Sequence, residues 1–212
     1  MSLDRKINRI QFLSGNSLKV IAVLTMVIDH LCKIVLQWLL SNYWGAMVDN
    51  GQMSWEQFQQ IDNFIRFDLQ SIGTIAFPLF CLLLSEGFFY TKNRKRYIGG
   101  MLAFALISEV PFDIGFFSRY SIAEGTFPFY LQYQNVFFTL FLGLLTLVII
   151  EKVALKISGD GRKSKVTKIL CQLGVVIIMA IIAELVKCDY GSQGIVLSLI
   201  HISEPTRRRG IS

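Results

Sequence analysis

Charge is what this chain has least of. Asp, Glu, Lys and Arg make up 17% of its 212 residues, while 53% are hydrophobic; a soluble globular domain carries about 25% charged residues. So little charge cannot wet a surface on all sides, which excludes an ordinary soluble enzyme or binding domain. Cysteine occurs four times, and Cys32, Cys81, Cys171 and Cys188 show neither a C-x-x-C pair nor Cys/His ligand spacing. No disulfide framework, zinc site or other metal site is therefore expected. A glycine-rich phosphate loop, a Walker sequence and a G-x-S-x-G elbow are all missing, which removes P-loop NTPases and α/β-hydrolases. Internal repeats and low-complexity tracts are missing too. Residues 1–17 are polar and basic, and the first apolar run is too long for a signal-peptide core, so no cleavable signal is expected.

What the chain has instead is long apolar runs. A helix needs ~20 residues to cross a bilayer. Five runs meet that requirement, over residues 18–40, 72–90, 97–117, 135–151 and 169–187, and a sixth begins near Gly191. The expected fold is all-α: a polytopic transmembrane helical bundle of at least five spans, the sixth cut short. The loops expected over 41–71 and 118–134 are long and carry Tyr43, Trp44 and Trp55, then Tyr120, Phe127, Tyr130 and Tyr133. Such aromatics suit the water–lipid boundary.

The net charge of +6 needs no nucleic acid to explain it, because its placement alternates. Arg5, Lys6, Arg9 and Lys19 precede or open the first span; Arg66 stands alone in the first loop. Lys92, Arg94, Lys95 and Arg96 crowd the second loop, Arg119 stands alone in the third, and Lys152, Lys156, Arg162, Lys163, Lys165 and Lys168 fill the fourth. Basic loops stay in the cytoplasm. The expected orientation therefore puts the N-terminus and the second and fourth loops in the cytosol.

The run from Leu197 to Arg207 fits, codon by codon, the translation of a transposase sequencing adaptor. The native domain is accordingly expected over 1–196, with 197–212 foreign to it and His201, Arg207, Arg208 and Arg209 without function.

Ionisable groups inside spans cost ~2.5–3.5 kcal/mol each on insertion scales and mark functional sites by default. Asp29 and His30 sit mid-way along the first span, on a polar stripe of Thr25, Asp29, Lys33 and Gln37 at i, i+4 spacing. Neighbours on a helix point ~100° apart, so Asp29 and His30 are not expected to bond each other, and each is expected to find a partner on another helix. In the third span Glu109 and Asp113 share a face around Pro111; Asn135 opens the fourth as an N-cap; Glu184 and Asp189 lie at the end of the fifth. Pro78 is expected to kink the second span. His30, Glu109, Asp113, Asn135 and Glu184 all fall in the outer half. A bland account makes them packing groups and helix-end residues reaching for interfacial water. Lys92, Arg94, Lys95 and Arg96 likewise read either as a topology anchor on anionic lipid or as a rim for a phosphate-bearing cofactor.

The residues also carry a resemblance. Leu18-Lys19-x-Ile21-Ala22 with Met26-x-Ile28-Asp29-His30 is similar to the opening of TraX family proteins. Ile75-Ala76-Phe77-Pro78-x-Phe80, Glu86-Gly87-Phe88, Ser108-Glu109-x-Pro111-Phe112-Asp113, Asn135-Val136-Phe137-Phe138-Thr139-Leu140 with Gly143, and Asp189-Tyr190-Gly191 with Gly194 follow in order. Thr74 and Gly100 depart from the pattern, each standing where an Arg is common. The resemblance implies a membrane acyltransferase of the bacterial cytoplasmic (inner) membrane, like the F-type conjugal pilin acetylase and related to enzymes that acetylate cell-surface sugars. Acetyl-CoA would be the donor, held at its phosphates by Lys92, Arg94, Lys95 and Arg96. His30 would be the base, Asp29 or Glu109 would orient it with Asp113 nearby, and Asn135 would donate to the oxyanion. The lipid bilayer is the certain surrounding; the acceptor protein or glycan is not named by the sequence. Two other classes compete: a proton-coupled transporter, since Asp, Glu and His chains mark proton paths, and a non-catalytic membrane component of a conjugation or envelope complex.

A reporter fused within residues 118–134 should be active only on the outer face, and one within 152–168 only in the cytosol. The reverse pattern would overturn the placement of every site.

Overall fold

The computed structural model describes residues 15–157 and 161–200. The basic N-terminal residues Arg5, Lys6 and Arg9 lie outside the described residues, as do His201, Arg207, Arg208 and Arg209 of the adaptor-like segment. The fold is an all-α helical bundle. Among the described residues five helices are long and apolar enough to cross a membrane: α1 Gly15–Asp49, α2 Trp55–Tyr90, α3 Arg94–Glu124, α4 Val136–Lys156 and α5 Arg162–Leu185. A shorter α6, Gly191–Ile200, follows. Among the described residues there is no strand, only one isolated parallel bridge between Gln134 and Cys188. Two compact units form, 1–83 and 84–212, the boundary falling inside α2.

In the first unit, the face of α1 carrying Ala22, Thr25 and Asp29 is buried and packs on residues Gln70–Thr74 of α2. The loop expected over 41–71 is corrected: both helices run through it. The capping box at Ser54 explains where α2 starts. Ser54 Oγ accepts from Gln57 N at 3.2 Å, and Gln57 Oε1 accepts from Ser54 N at 3.1 Å. Cys32, Leu40 and Ile65 are buried among Leu36, Trp44, Phe58 and Ile61, so of the aromatics assigned to this loop Trp44 packs between the two helices, while Tyr43 and Trp55 stay exposed. Three stretches are π-helical: Leu31–Leu36, Leu40–Trp44 and Phe64–Leu69. The expected effect of Pro78 appears one turn earlier. The ladder breaks at Ile75, between Gln70–Thr74 and Ala76–Tyr90, where the proline ring meets the preceding turn.

Gly73 sets the helix approach in this unit. A Cβ there would meet Asp29 Cβ at 2.6 Å and Cα at 2.8 Å, so only glycine lets α2 lie flat on the Asp29 turn.

In the second unit α4 is central, packed by α3, α5 and α6. Thr139, Leu144 and Thr146 on it are wholly buried. Thr146 turns its hydroxyl back to Leu142 O at 2.7 Å, which satisfies it without a partner helix. Leu142, Met179, Ala183, Cys188 and Ile195 form the core between α4, α5 and α6. α3 runs unbroken through Pro111, and past the expected span end at 117.

Gly73→Ala should destabilise the chain by about 1–3 kcal/mol, because backbone atoms must shift to admit the methyl. Gly174→Ala, where a Cβ meets nothing within 4 Å, should stabilise α5 by up to about 1 kcal/mol. Reversible unfolding in detergent compares the two; equal effects would mean the close contact at Gly73 is not real.

Candidate functional site

The first cluster lies on α1. Asp29 is buried, and its Oδ2 takes the Lys33 ammonium at 2.8 Å, one helical turn on; the partner expected on another helix is on its own helix, because i, i+4 side chains meet on one face. His30 Nδ1 stands 3.9 Å from that oxygen, too far for a hydrogen bond, as neighbours on a helix dictate. Nδ1 instead lies 2.9 Å from Met26 O. A carbonyl can only accept, so Nδ1 carries the proton, and in the neutral ring Nε2 is the basic nitrogen. The π-helical stretch Leu31–Leu36 begins at the next residue; such wide turns concentrate at functional sites. Asp29 Oδ1 is buried with no hydrogen-bond partner.

The second cluster joins α3 to the segment entering α4. Asn135 caps α4, its Oδ1 accepting from Phe137 N at 2.9 Å. Its Nδ2 donates to Ala105 O at 2.9 Å and to Glu109 Oε2, which also takes Asn135 N at 3.2 Å. Asp113 Oδ2 accepts from Tyr130 N at 2.7 Å. Glu109 and Asp113 are therefore fastened to backbone, one turn apart, along the stretch between the helices. Phe117 stacks on Tyr130 at 4.7 Å and Phe112 on Tyr133 at 6.3 Å, so the aromatic residues of this stretch cover the C-terminal half of α3.

A corner between α5 and α6 meets the same stretch. Gln134 N donates to Lys187 O and Asp189 N to Gln134 O, both at 3.0 Å. Tyr133 donates its hydroxyl to Asp189 Oδ1 at 2.6 Å. Burial, and then this hydrogen bond, push the Tyr133 phenol above its ordinary range. Burial likewise pushes the Cys188 thiol up to about 11, so it is neutral and unreactive at physiological pH. The Cys188 contribution to stability is present below about pH 9 and lost as pH rises through the folded value. Glu184 Oε1 accepts from Ser192 N at 2.8 Å and so caps the turn into α6. The Asp189-Tyr190-Gly191 motif is thus a corner that ties two turns together.

The third cluster is at the other end of α3. A cleft of about 650 Å³ is lined by Lys92, Asn93 and Arg96 at one end and by Tyr97, Met101, Phe104 and Phe137 along its wall. Gly100 also lines it. Of the four basic residues singled out in the sequence, Lys92 and Arg96 face this cleft. Arg94 pairs with Glu151 and sits 4.6 Å over the Phe88 ring, and Lys95 does not line it. Tyr97 reaches back to donate to Leu84 O at 3.3 Å, passing so close to Gly87 that a side chain there would have to push its ring aside.

The second unit thus brings together Glu109, Asp113, Asn135 and Glu184. Asp29 and His30 belong to the first. Among the described residues no His/Cys/Asp/Glu group could hold a metal ion. Sequence reasoning missed the Tyr133–Asp189 pair, which joins residues far apart in the chain. It gave no role to Lys33, although the i, i+4 spacing from Asp29 signals the pair.

Long apolar helices with polar groups fastened inside them define a multi-pass membrane protein. The chain belongs to the TraX protein family, whose profile matches residues 14–207. It is similar to a protein of Dichelobacter nodosus named a probable fimbrial assembly protein FimC of serogroup H1, at 28% identity over 188 residues. The match covers 88% of this chain but only 61% of that relative's length. No solved structure matches the chain.

Asn135→Ala should cost about 3 kcal/mol or more, since it removes a cap and strands the Glu109 carboxylate. Combining it with Glu109→Ala should cost less than the sum, by about 1–3 kcal/mol of coupling. Additive losses in a double-mutant cycle would show that the pair does not hold the fold.

Proposed function

We propose that this chain is an integral membrane acyltransferase of the bacterial cytoplasmic membrane. It moves an acetyl group from cytosolic acetyl-CoA to an acceptor presented on the outer side. The observation that carries the reading is the cleft beside α3. Its volume of about 650 Å³ lies within the ~300–1,000 Å³ of small-molecule sites. Lys92 and Arg96 at one end suit a nucleotide's phosphates, which Arg and Lys bind by charge-assisted hydrogen bonds. The wall of Tyr97, Met101, Phe104 and Phe137 suits the less polar arm that carries a thioester. The alternation of basic loops supports placing this end of α3 in the cytosol.

His30 would serve as general base. With Nδ1–H held by Met26 O, its ring presents Nε2 as the nitrogen able to take a proton from the acceptor. The fimbrial name of the Dichelobacter relative supports a pilin-type acceptor, whose N-terminal amine would be the nucleophile; it comes from a longer protein, of which this chain matches part. Glu109, Asp113 and Asn135 then support the reaction by fixing the stretch over the outer end of α3, with their hydrogen bonds already committed.

Membranes containing the chain, given labelled acetyl-CoA, should transfer label to a pilin-type peptide. His30→Ala and His30→Gln should both lower that rate by ~10²–10⁴-fold, because Gln keeps the hydrogen bonding but takes no proton. Lys92→Ala and Arg96→Ala should instead raise KM for acetyl-CoA by about tenfold each, with kcat little changed. A His30→Gln protein of near-normal rate would remove His30 from the chemistry, and absence of transfer by the wild type would remove the reading.

A further inference from the structure

We propose that Lys33 is a further catalytic residue, its ammonium placed by Asp29 to bind the oxygen of the acetyl carbonyl as negative charge develops there. The inference rests on the acyltransferase reading and deepens it.

Three observations carry it. First, a lysine within a span ordinarily stretches along the helix toward the nearer water, which spares it the cost of hydrocarbon. Lys33 does the opposite: it bends back one turn toward the middle of the 18–40 apolar run and pairs with Asp29 Oδ2 at 2.8 Å. Second, the carboxylate that holds it lies beneath the surface and the two nitrogen groups do not. The Asp29 side chain is 10% exposed, against 34% for Lys33 and 38% for His30. Oδ2 of Asp29 stands within 4 Å of both Lys33 Nζ and His30 Nδ1, so an ammonium and an imidazole open side by side over one buried anion. Third, the anchor is itself fixed. Gly73 packs against Asp29, close enough that a Cβ there would meet Oδ1 at 2.9 Å, so the α2 backbone closes one side of the carboxylate.

An ammonium has three protons, and Asp29 takes one, leaving donors for a substrate oxygen. In the reaction the acceptor amine nitrogen bonds to the thioester carbon while His30 Nε2 takes its proton. The carbonyl π pair moves onto oxygen, which Lys33 binds. When that pair returns, the carbon–sulfur bond breaks, and the thiolate leaves with the proton from His30. The products are the acetylated amine and free thiol, and both side chains end as they began.

If the ion pair were only charge compensation, replacing both partners by neutral groups of similar shape would be tolerated. The test is the double variant Asp29→Asn/Lys33→Met, with Lys33→Gln and Lys33→Arg beside it, in the whole chain, assayed with labelled acetyl-CoA and a pilin-type peptide. The double variant should fold, by detergent gel filtration and thermal midpoint. Its kcat should fall ~10²–10³-fold, the loss expected for one oxyanion donor, with KM for acetyl-CoA unchanged. Lys33→Gln should lose as much and Lys33→Arg should recover a large part. A folded double variant with wild-type kcat overturns the role of Lys33 while leaving the acyltransferase reading intact. If the double variant does not fold, Lys33→Gln against Lys33→Arg decides: equal rates overturn the proposal. A wild type that transfers no acetyl overturns both.

Discussion

Hydrocarbon offers a polar group no partner, so every carboxylate buried in these helices must bring its own. Asp29 has Lys33, Glu109 has Asn135, and Asp113 has the backbone N–H of Tyr130. Much of the architecture follows from meeting these three demands. Asn135 must stand where α4 begins in order to reach Glu109, and in doing so it caps that helix. The stretch before it must fold over α3 for Tyr130 to reach Asp113, which brings Tyr130 and Tyr133 onto Phe117 and Phe112. In the other unit, Asp29 can sit against α2 only because Gly73 has no side chain.

The three pairs share one feature. Each carboxylate has one oxygen engaged and the other buried without a hydrogen bond: Asp29 Oδ1, Glu109 Oε1 and Asp113 Oδ1. An unmet buried acceptor costs about 1–3 kcal/mol. For Glu109 and Asp113 the engaged oxygen holds backbone or a cap, so the cost sits beside an evident structural return. Asp29 holds only the side chain of Lys33, which an uncharged residue at 33 would not require. A charged pair whose members need each other only because both are there is the arrangement that structure alone explains least.

The helix count, the spans and the chain positions of the polar residues were legible in the sequence because apolar length and charge scarcity set them directly. The ends of helices were not. Residues 41–71 read as a loop at the water–lipid boundary, yet Trp44 of α1 packs there in one cluster with Phe58, Ile61 and Ile65 of α2; the pattern that marks a span stops where lipid stops, while helix packing continues beyond it. Pro78 was legible as a disruption but not as a break at Ile75, because its ring acts on the turn before it. Glu109, Asp113 and Asn135 were legible as a group. Their commitment to backbone was not, since Tyr130 N and Ala105 O leave no mark in a sequence.

That difference bears on which residues can do chemistry. A side chain that closes a helix end or fastens a turn has its lone pairs and protons in use, and moving it loosens the fold. Asn135 spends Oδ1 on Phe137 N and Nδ2 on Ala105 O and Glu109, which leaves little of it to meet a developing oxyanion. His30 and Lys33 are held differently. His30 Nδ1 is held by Met26 O and Lys33 by Asp29, and each side chain stays about one-third open. Preorganisation needs both conditions, a fixed direction and unspent capacity. In the first unit a helix turn with a glycine behind it supplies them, whereas the more numerous polar groups of the second unit are consumed in holding it together.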